Sequence, residues 1–364
     1  MKLIELHILQ SFPVTCLNRD DLGSPKSAVF GGVTRARISS QCLKRAIRMQ
    51  AKEICPDLFK GERSRLIVEQ IKKAVTKKDI EEALALDAAK KLCDHLAKFD
   101  TQAEKSKGML KVKTLMFLSP AEIAQAGEEL AAAVQNGAVD DKKIKDTAKR
   151  MKDVKLKDAA DIALFGRMVA SDHSLSVEGA ALFSHALSTH RAESDVDFFT
   201  AVDDRQKEDP SVMDEDRAGS GMMGTLEYNS ATYYRYVGLN VDMLWDEDHL
   251  RQIQSKEDRE RILNAFLRAC LMAVPSARRN SMNGSTLPGY VLGLVRDKSY
   301  PLQLVNAFEQ PVRPKQDGLL EPSVKALKDH FEHMKKSWDL NCAGEVELPH
   351  VPLPEFCKTL LSHV

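Results

Sequence analysis

Two stretches of strand alternation lie on either side of a long helical block, so the chain has to combine a sheet with a large helical insertion. From Leu3 to Leu9, Ile4, Leu6 and Ile8 share one face while Glu5 and His7 share the other. From Tyr228 to Val241, Ala231, Tyr233, Arg235, Val237 and Leu239 alternate with Thr232, Tyr234, Tyr236 and Gly238. Between them, from about Gly61 to Leu164, alanine, lysine, leucine and glutamate dominate with mostly helical spacing, and Ile123 to Ala133 reads as a good helix. Asn136-Gly137 marks a turn after it, and Asp158 to Phe165 begins a further helical segment. Ala181 to Thr189 belongs to another ordered element. Later, Arg261 to Ala273 resumes helical spacing until Pro275, and Gly289 to Val295 suits a strand. Strands and helices in this order predict an α/β or α+β sheet domain carrying large insertions.

The formal net charge is zero, yet the charge is not evenly spread. Seven basic side chains and no acidic one lie between Leu22 and Lys52: Lys26, Arg35, Arg37, Lys44, Arg45, Arg48 and Lys52. Such a concentration suits an anionic polymer without a high isoelectric point. A helix is predicted from near Ser40, capped by Ser39 or Ser40 and ended by Pro56. Leu43, Ile47, Ala51 and Ile54 form its apolar face and the cations lie largely off it, which also fits an ordinary packing helix with a solvated side. Gly31-Gly32 is either a plain turn or a place for close backbone approach. Arginine suits phosphate because its planar fork makes two directed hydrogen bonds. Arg278, Arg279 and Asn280 form a second basic loop, equally readable as a solvated turn. Phe198-Phe199 and Met168 are core candidates by spacing; exposed beside a basic surface, Phe199 would stack on a base and Met168 would wedge between bases.

From Asp203 to Gly224 the chain carries Asp203, Asp204, Glu208, Asp209, Asp214, Glu215 and Asp216, then Gly219-Ser220-Gly221, and has little apolar area to bury. An exposed arm is expected there. Asp195, Asp197, Asp203 and Asp204 would bind magnesium only if several met in space, and His173, His185 or His190 would have to supply acid-base chemistry. No metalloprotease, Walker or dinucleotide motif supports an enzyme. Scattered cysteines without a Cys-x-x-Cys pair point to a reduced protein without structural zinc. The Met1 to His7 segment lacks a signal-peptide core, so a cytoplasmic protein is expected.

Several ordered segments together resemble the repeated RNA-binding backbone subunit of the type I-E CRISPR Cascade complex. They are Cys16-Leu17-Asn18-Arg19-Asp20-Asp21, Phe30-Gly31-Gly32, Arg37-Ile38-Ser39-Ser40-Gln41, Leu43-Lys44-Arg45-Ala46, Gly166-Arg167-Met168, Ser194 through Asp204, Tyr234-Arg235-Tyr236 and Asn306-Ala307-Phe308-Glu309. The resemblance is weakest from about 60 to 160 and near the C-terminus. It implies an α+β fold with an RNA-recognition-like antiparallel sheet palm, a large helical finger insertion and a protruding thumb loop. The palm would comprise 1–57 and 165–310, the fingers 58–164, the thumb 195–226, and 311–364 a C-terminal packing segment. It implies a non-catalytic subunit that needs no cofactor and oligomerises along CRISPR RNA, presenting the guide for base pairing. Partners would be the CRISPR RNA, complementary target DNA, adjacent copies of itself, other Cascade subunits and, through the complex, a recruited helicase-nuclease. Guide contacts would come from Arg19, Lys26, Arg35, Arg37, Lys44, Arg45 and Arg48, with Met168 and Phe199 at a displaced nucleotide and Arg278 and Arg279 as weaker additions. The alternative is a metal-dependent ribonuclease of a related CRISPR RNA-processing family, using the aspartates named above.

Overall fold

The computed structural model describes residues 1–100, 110–135, 138–151, 154, 156–169, 175–201, 222–314, 316 and 318–364. The acidic residues from Asp203 to Asp216 and the Asn136-Gly137 turn lie outside the described residues. Among the described residues no helix is long and apolar enough to cross a membrane.

Strand β1 (Leu3–Thr15) runs antiparallel to β11 (Met222–Asn240) on one side and β12 (Tyr290–Arg296) on the other. The order across the sheet is β13 (Gly344–Leu348), β12, β1, β11, β9 (Ala186–Ser188), β3 (Val33–Ile38) and β2 (Ser27–Phe30); β8 (Ala181–Phe183) and β10 (Asp195–Ala201) also pair with β11. The chain is thus α+β with a large antiparallel sheet.

Helices α1 (Ser40–Ile54), α6 (Ala160–Phe165), α8 (Lys256–Met272) and α10 (Leu353–Leu361) cover one face. There Ile4, Leu6 and Ile8 meet Tyr233, Val237 and Leu239, the set the alternation assigned to one side. Helix α9 (Leu320–Trp338) and the 3-10 turn Val305–Phe308 cover the other face, where Leu9, Tyr234, Tyr236, Tyr290 and Leu292 pack against Leu304, Phe308, Leu327 and Phe331. Glu5 and His7 are therefore buried. The Glu5 carboxylate accepts from Arg296 at 2.8 Å, the Tyr236 hydroxyl at 2.6 Å and the Leu302 amide at 2.8 Å. His7 Nδ1 lies 2.9 Å from the Tyr234 hydroxyl, and burial, then Arg296, lowers its pKa to about 3, so the ring is neutral. The centre of the sheet offers no open face on which bases could stack.

A second core lies within the helical block. Helices α2 (Ile67–Thr76), α3 (Glu82–Leu96), α4 (Pro120–Ala133) and α5 (Asp141–Arg150) bury Ile71, Val75, Leu92, Leu96, Leu130 and Ile144 together. Ser119 and Glu122 form a reciprocal capping box at the start of α4, which fixes that boundary three residues earlier than the apolar spacing alone suggests.

Candidate nucleic-acid interface

The basic run folds into a hairpin followed by a helix. Strands β2 and β3 pair directly across Phe30 and Val33, so Gly31 and Gly32 are a two-residue turn. Both have positive φ, at 60° and 75°, which this tight turn demands and glycine adopts without cost. Gly31 has a second reason: a Cβ there would overlap the Glu309 carbonyl. The pair is thus the plain turn, and the close approach at Gly31 is made by the protein's own Glu309 carbonyl.

Arg35 and Arg37 are two residues apart on one strand and share a face, but their fates differ. Arg35 is fully buried and donates to the carbonyls of Phe30 (3.1 Å), Ser188 (3.1 Å), Phe308 (2.7 Å) and Glu309 (3.2 Å). Its donors are consumed inside the protein, which corrects its expected role as a phosphate contact. It fastens the hairpin to the Asn306–Glu309 segment. Arg37 is half-buried, with Nε donating to the Ser27 carbonyl at 3.2 Å and, among the described residues, no other partner for its fork. The Lys26 carbonyl accepts from the Arg37 amide at 2.8 Å, which fixes these two cations side by side.

Helix α1 begins where the sequence places it. Ser39 is the N-cap, its hydroxyl accepting from the Cys42 amide. The first turn carries no acid, and Lys44 and Arg45 follow directly. That is the reverse of what the helix dipole favours, so these cations are placed at some cost to the helix. Lys44 lies over the Phe183 ring at 5.3 Å; burial and the nearby Arg63 lower its pKa. Arg45 projects into a cleft of about 740 Å³ that Arg19 and Arg279 also line. Arg48 turns inward instead. It is 9% exposed, lies over Phe117 at 5.3 Å and faces Asp161 at 3.8 Å, so it too is corrected from surface contact to interior ion pair. Arg63, over the same Phe117 ring at 4.6 Å, joins the cluster. It was missed because its segment reads as the start of the helical block.

Several basic side chains away from this surface meet carboxylates: Arg65 with Asp100, Lys72 with Glu82, Lys91 with Asp141, Arg261 with Asp57 and Lys328 with Glu347. Among the described residues, Arg19, Lys26, Arg37, Lys44, Arg45, Arg63, Arg278 and Arg279 form no ion pair. Their fields overlap, since Lys26 and Arg45 both act on Cys42, Arg19 and Arg278 on Cys16, and Arg37 and Lys26 on His185. Asp20, Asp21 and Glu53 line the same cleft as Arg19, Arg45 and Arg279, so the cations are least opposed around Lys26, Arg37 and Lys44, where a polyanion is best held.

Met168 is 77% exposed, not core. It follows Gly166, at φ 77°, and the buried Arg167, whose guanidinium pairs with Glu122 at 2.6 Å and donates to the Leu175 carbonyl at 2.7 Å. That anchor holds an apolar side chain in water. On the β10–β11 ribbon Phe199 sits opposite Gly224 and its ring fills the space a Cβ would need. Phe198 on the opposite side is 60% exposed and is the more available of the two. Val196 and Met223 share its face and are 63% and 65% exposed. Arg278 has positive φ at 51° and is partly buried, whereas Arg279 is exposed at the cleft.

The model of the CT1975-like protein family matches residues 4–348. The chain belongs to that family. No curated protein matches this CT1975-like chain. Among solved structures, it is similar to a chain described as "CRISPR RNA-guided surveillance complex, pre-nicking", with 28% identity, a TM-score of 0.80 and 99% of each chain covered. A second, described as "CRISPR RNA-guided surveillance complex", has the same fold at 23% identity and a TM-score of 0.69, with each chain wholly covered.

Proposed function

We propose that this CT1975-like protein is a Cascade-type CRISPR subunit: a non-catalytic backbone protein, several copies of which line one CRISPR RNA and present the guide for pairing with complementary DNA. The observation that carries this reading is the run of cations from Arg19 and Arg279 through Arg45 and Lys26 to Arg37 and Lys44, which form no ion pair among the described residues. Such a track holds a strand by its phosphates and leaves base edges to another nucleic acid. Similarity to chains of RNA-guided surveillance complexes supports the same reading.

In this role the sheet and its covering helices act as the palm, the 58–164 block as fingers and the β10–β11 ribbon as the base of a thumb. Met168 and Phe198, with Phe199 behind it, are apolar groups able to interrupt base stacking. Adjacent copies, other Cascade subunits and a recruited helicase-nuclease complete the assembly, which works in the cytoplasm.

Co-expression with guide RNA and sister subunits, followed by native mass spectrometry and sequencing of the bound RNA, tests the proposal. Several copies on one uncut, protected RNA are expected. An RNA-free monomer, or guide fragments whose release needs magnesium and Asp195 or Asp197, would reject it.

A further inference from the structure

His185 belongs to none of the charged groups considered for the guide track, yet it stands in it. It lies in the turn between β8 and β9, beside β3, where Ala186 and Leu187 face Ile38 and Arg37. Its Nδ1 accepts the Ser40 amide at 2.9 Å. A nitrogen that accepts carries no proton, so the proton of the neutral ring is on Nε2. The ring is exposed, and among the described residues Nε2 has no partner. The charged groups facing it are Lys26 from the edge of β2 and Arg37 from β3, and burial together with these two cations lowers its pKa. The Nε2–H is thus a fixed donor with only cations nearby.

We infer that His185 is a further guide-binding residue, donating from Nε2–H as a neutral imidazole to an oxygen of the strand held by Lys26 and Arg37. This rests on the RNA-binding reading above. A donor flanked by cations suits an anionic or carbonyl oxygen, and its tautomer is set before the strand arrives, so no reorganisation is needed on binding. Because the contact adds no charge, it displaces no counterion. That separates it from every lysine and arginine of the track, each of which steepens the dependence of affinity on salt.

The experiment compares wild type, His185→Ala and His185→Asn as full-length chains, titrated with a fluorescein-labelled single-stranded RNA across a range of salt. Asparagine Oδ1 can take the Ser40 amide in place of Nδ1, but its amide group does not reach as far as Nε2. Expected are roughly tenfold weaker binding for both variants at every salt concentration, the size of one hydrogen bond to a charged group. The salt slope should equal that of wild type, and the Asn variant should keep the wild-type melting temperature. Wild-type affinity in His185→Asn would mean that the ring only caps α1, and would overturn the inference. So would a flattened slope, which would make the ring a charged contact. Failure of wild type itself to bind RNA at low salt would remove the RNA-binding reading and this inference with it.

Discussion

Replacing Arg37, Lys44 and Arg45 together by alanine should flatten the salt dependence of guide binding by a calculable amount. Among the described residues none of the three forms an ion pair, so each is able to displace a counterion from the strand. For single strands the slope of log affinity against log salt falls by about 0.7 for each phosphate contact removed, so three contacts account for a change of about 2. Over a roughly fourfold rise in salt, wild type should lose about 20-fold more affinity than the triple variant. Fluorescence anisotropy across salt measures this directly, with circular dichroism confirming the fold. The control is Arg261→Ala. Arg261 is already neutralised by Asp57 at 2.6 Å and by Asp258 at 2.8 Å, so its loss should leave the slope unchanged. An unaltered slope in the triple variant, or an equal change in the control, would refute the assignment of these cations to phosphate.

The glycine pair should respond unequally to alanine. Gly32→Ala pays only for positive φ, about 1 kcal/mol, because nothing lies within 4 Å of its Cβ, whereas Gly31→Ala must also displace the Glu309 carbonyl and should cost at least about 2 kcal/mol more in urea unfolding. Arg35→Met should destabilise by about 3 kcal/mol, since four carbonyls lose a donor, whereas a surface contact would show lost RNA affinity at full stability. His7 gives a pH signature. Its folded pKa of about 3 lies below the unfolded value of 6.5, so its contribution is complete above pH 6.5 and is lost as pH falls from there toward 3. Between pH 7 and pH 5 the cost is about 2 kcal/mol, and His7→Gln should show a shallower decline in melting temperature over that range.

Periodicity carried much of the secondary structure because one face of each element must be buried whatever packs against it. Thus Ile4, Leu6 and Ile8, the alternation through Tyr233 to Leu239, and Leu43, Ile47 and Ala51 were legible from spacing alone. A cap at Ser39 or Ser40 and a turn as one reading of the glycine pair were legible as local chemistry, and the structure takes Ser39 and the turn. The elements after Arg296 were not placed from spacing, although α9, β13 and α10 complete the sheet and both of its covers. The β10–β11 ribbon also escaped, because Met222 to Gly224 read as part of the acidic arm and the following strand was read only from Tyr228.

The sequence by itself determined that cations are concentrated, that a cap and helix follow them, and that strands lie on either side of a long helical block. Which cations face outward was decided by the tertiary structure. Arg35 and Arg37 obey the same period-two rule on β3, but Phe308 and Glu309, from far along the chain, close over one and leave the other open. Likewise Asp161 draws Arg48 inward, Arg167 and Glu122 hold Met168 in water, and Ser40 fixes the tautomer of His185. Local pattern reports which faces are apolar. Whether a polar group on the other face meets solvent depends on contacts between segments distant in sequence, and those exist only once the chain has closed on itself.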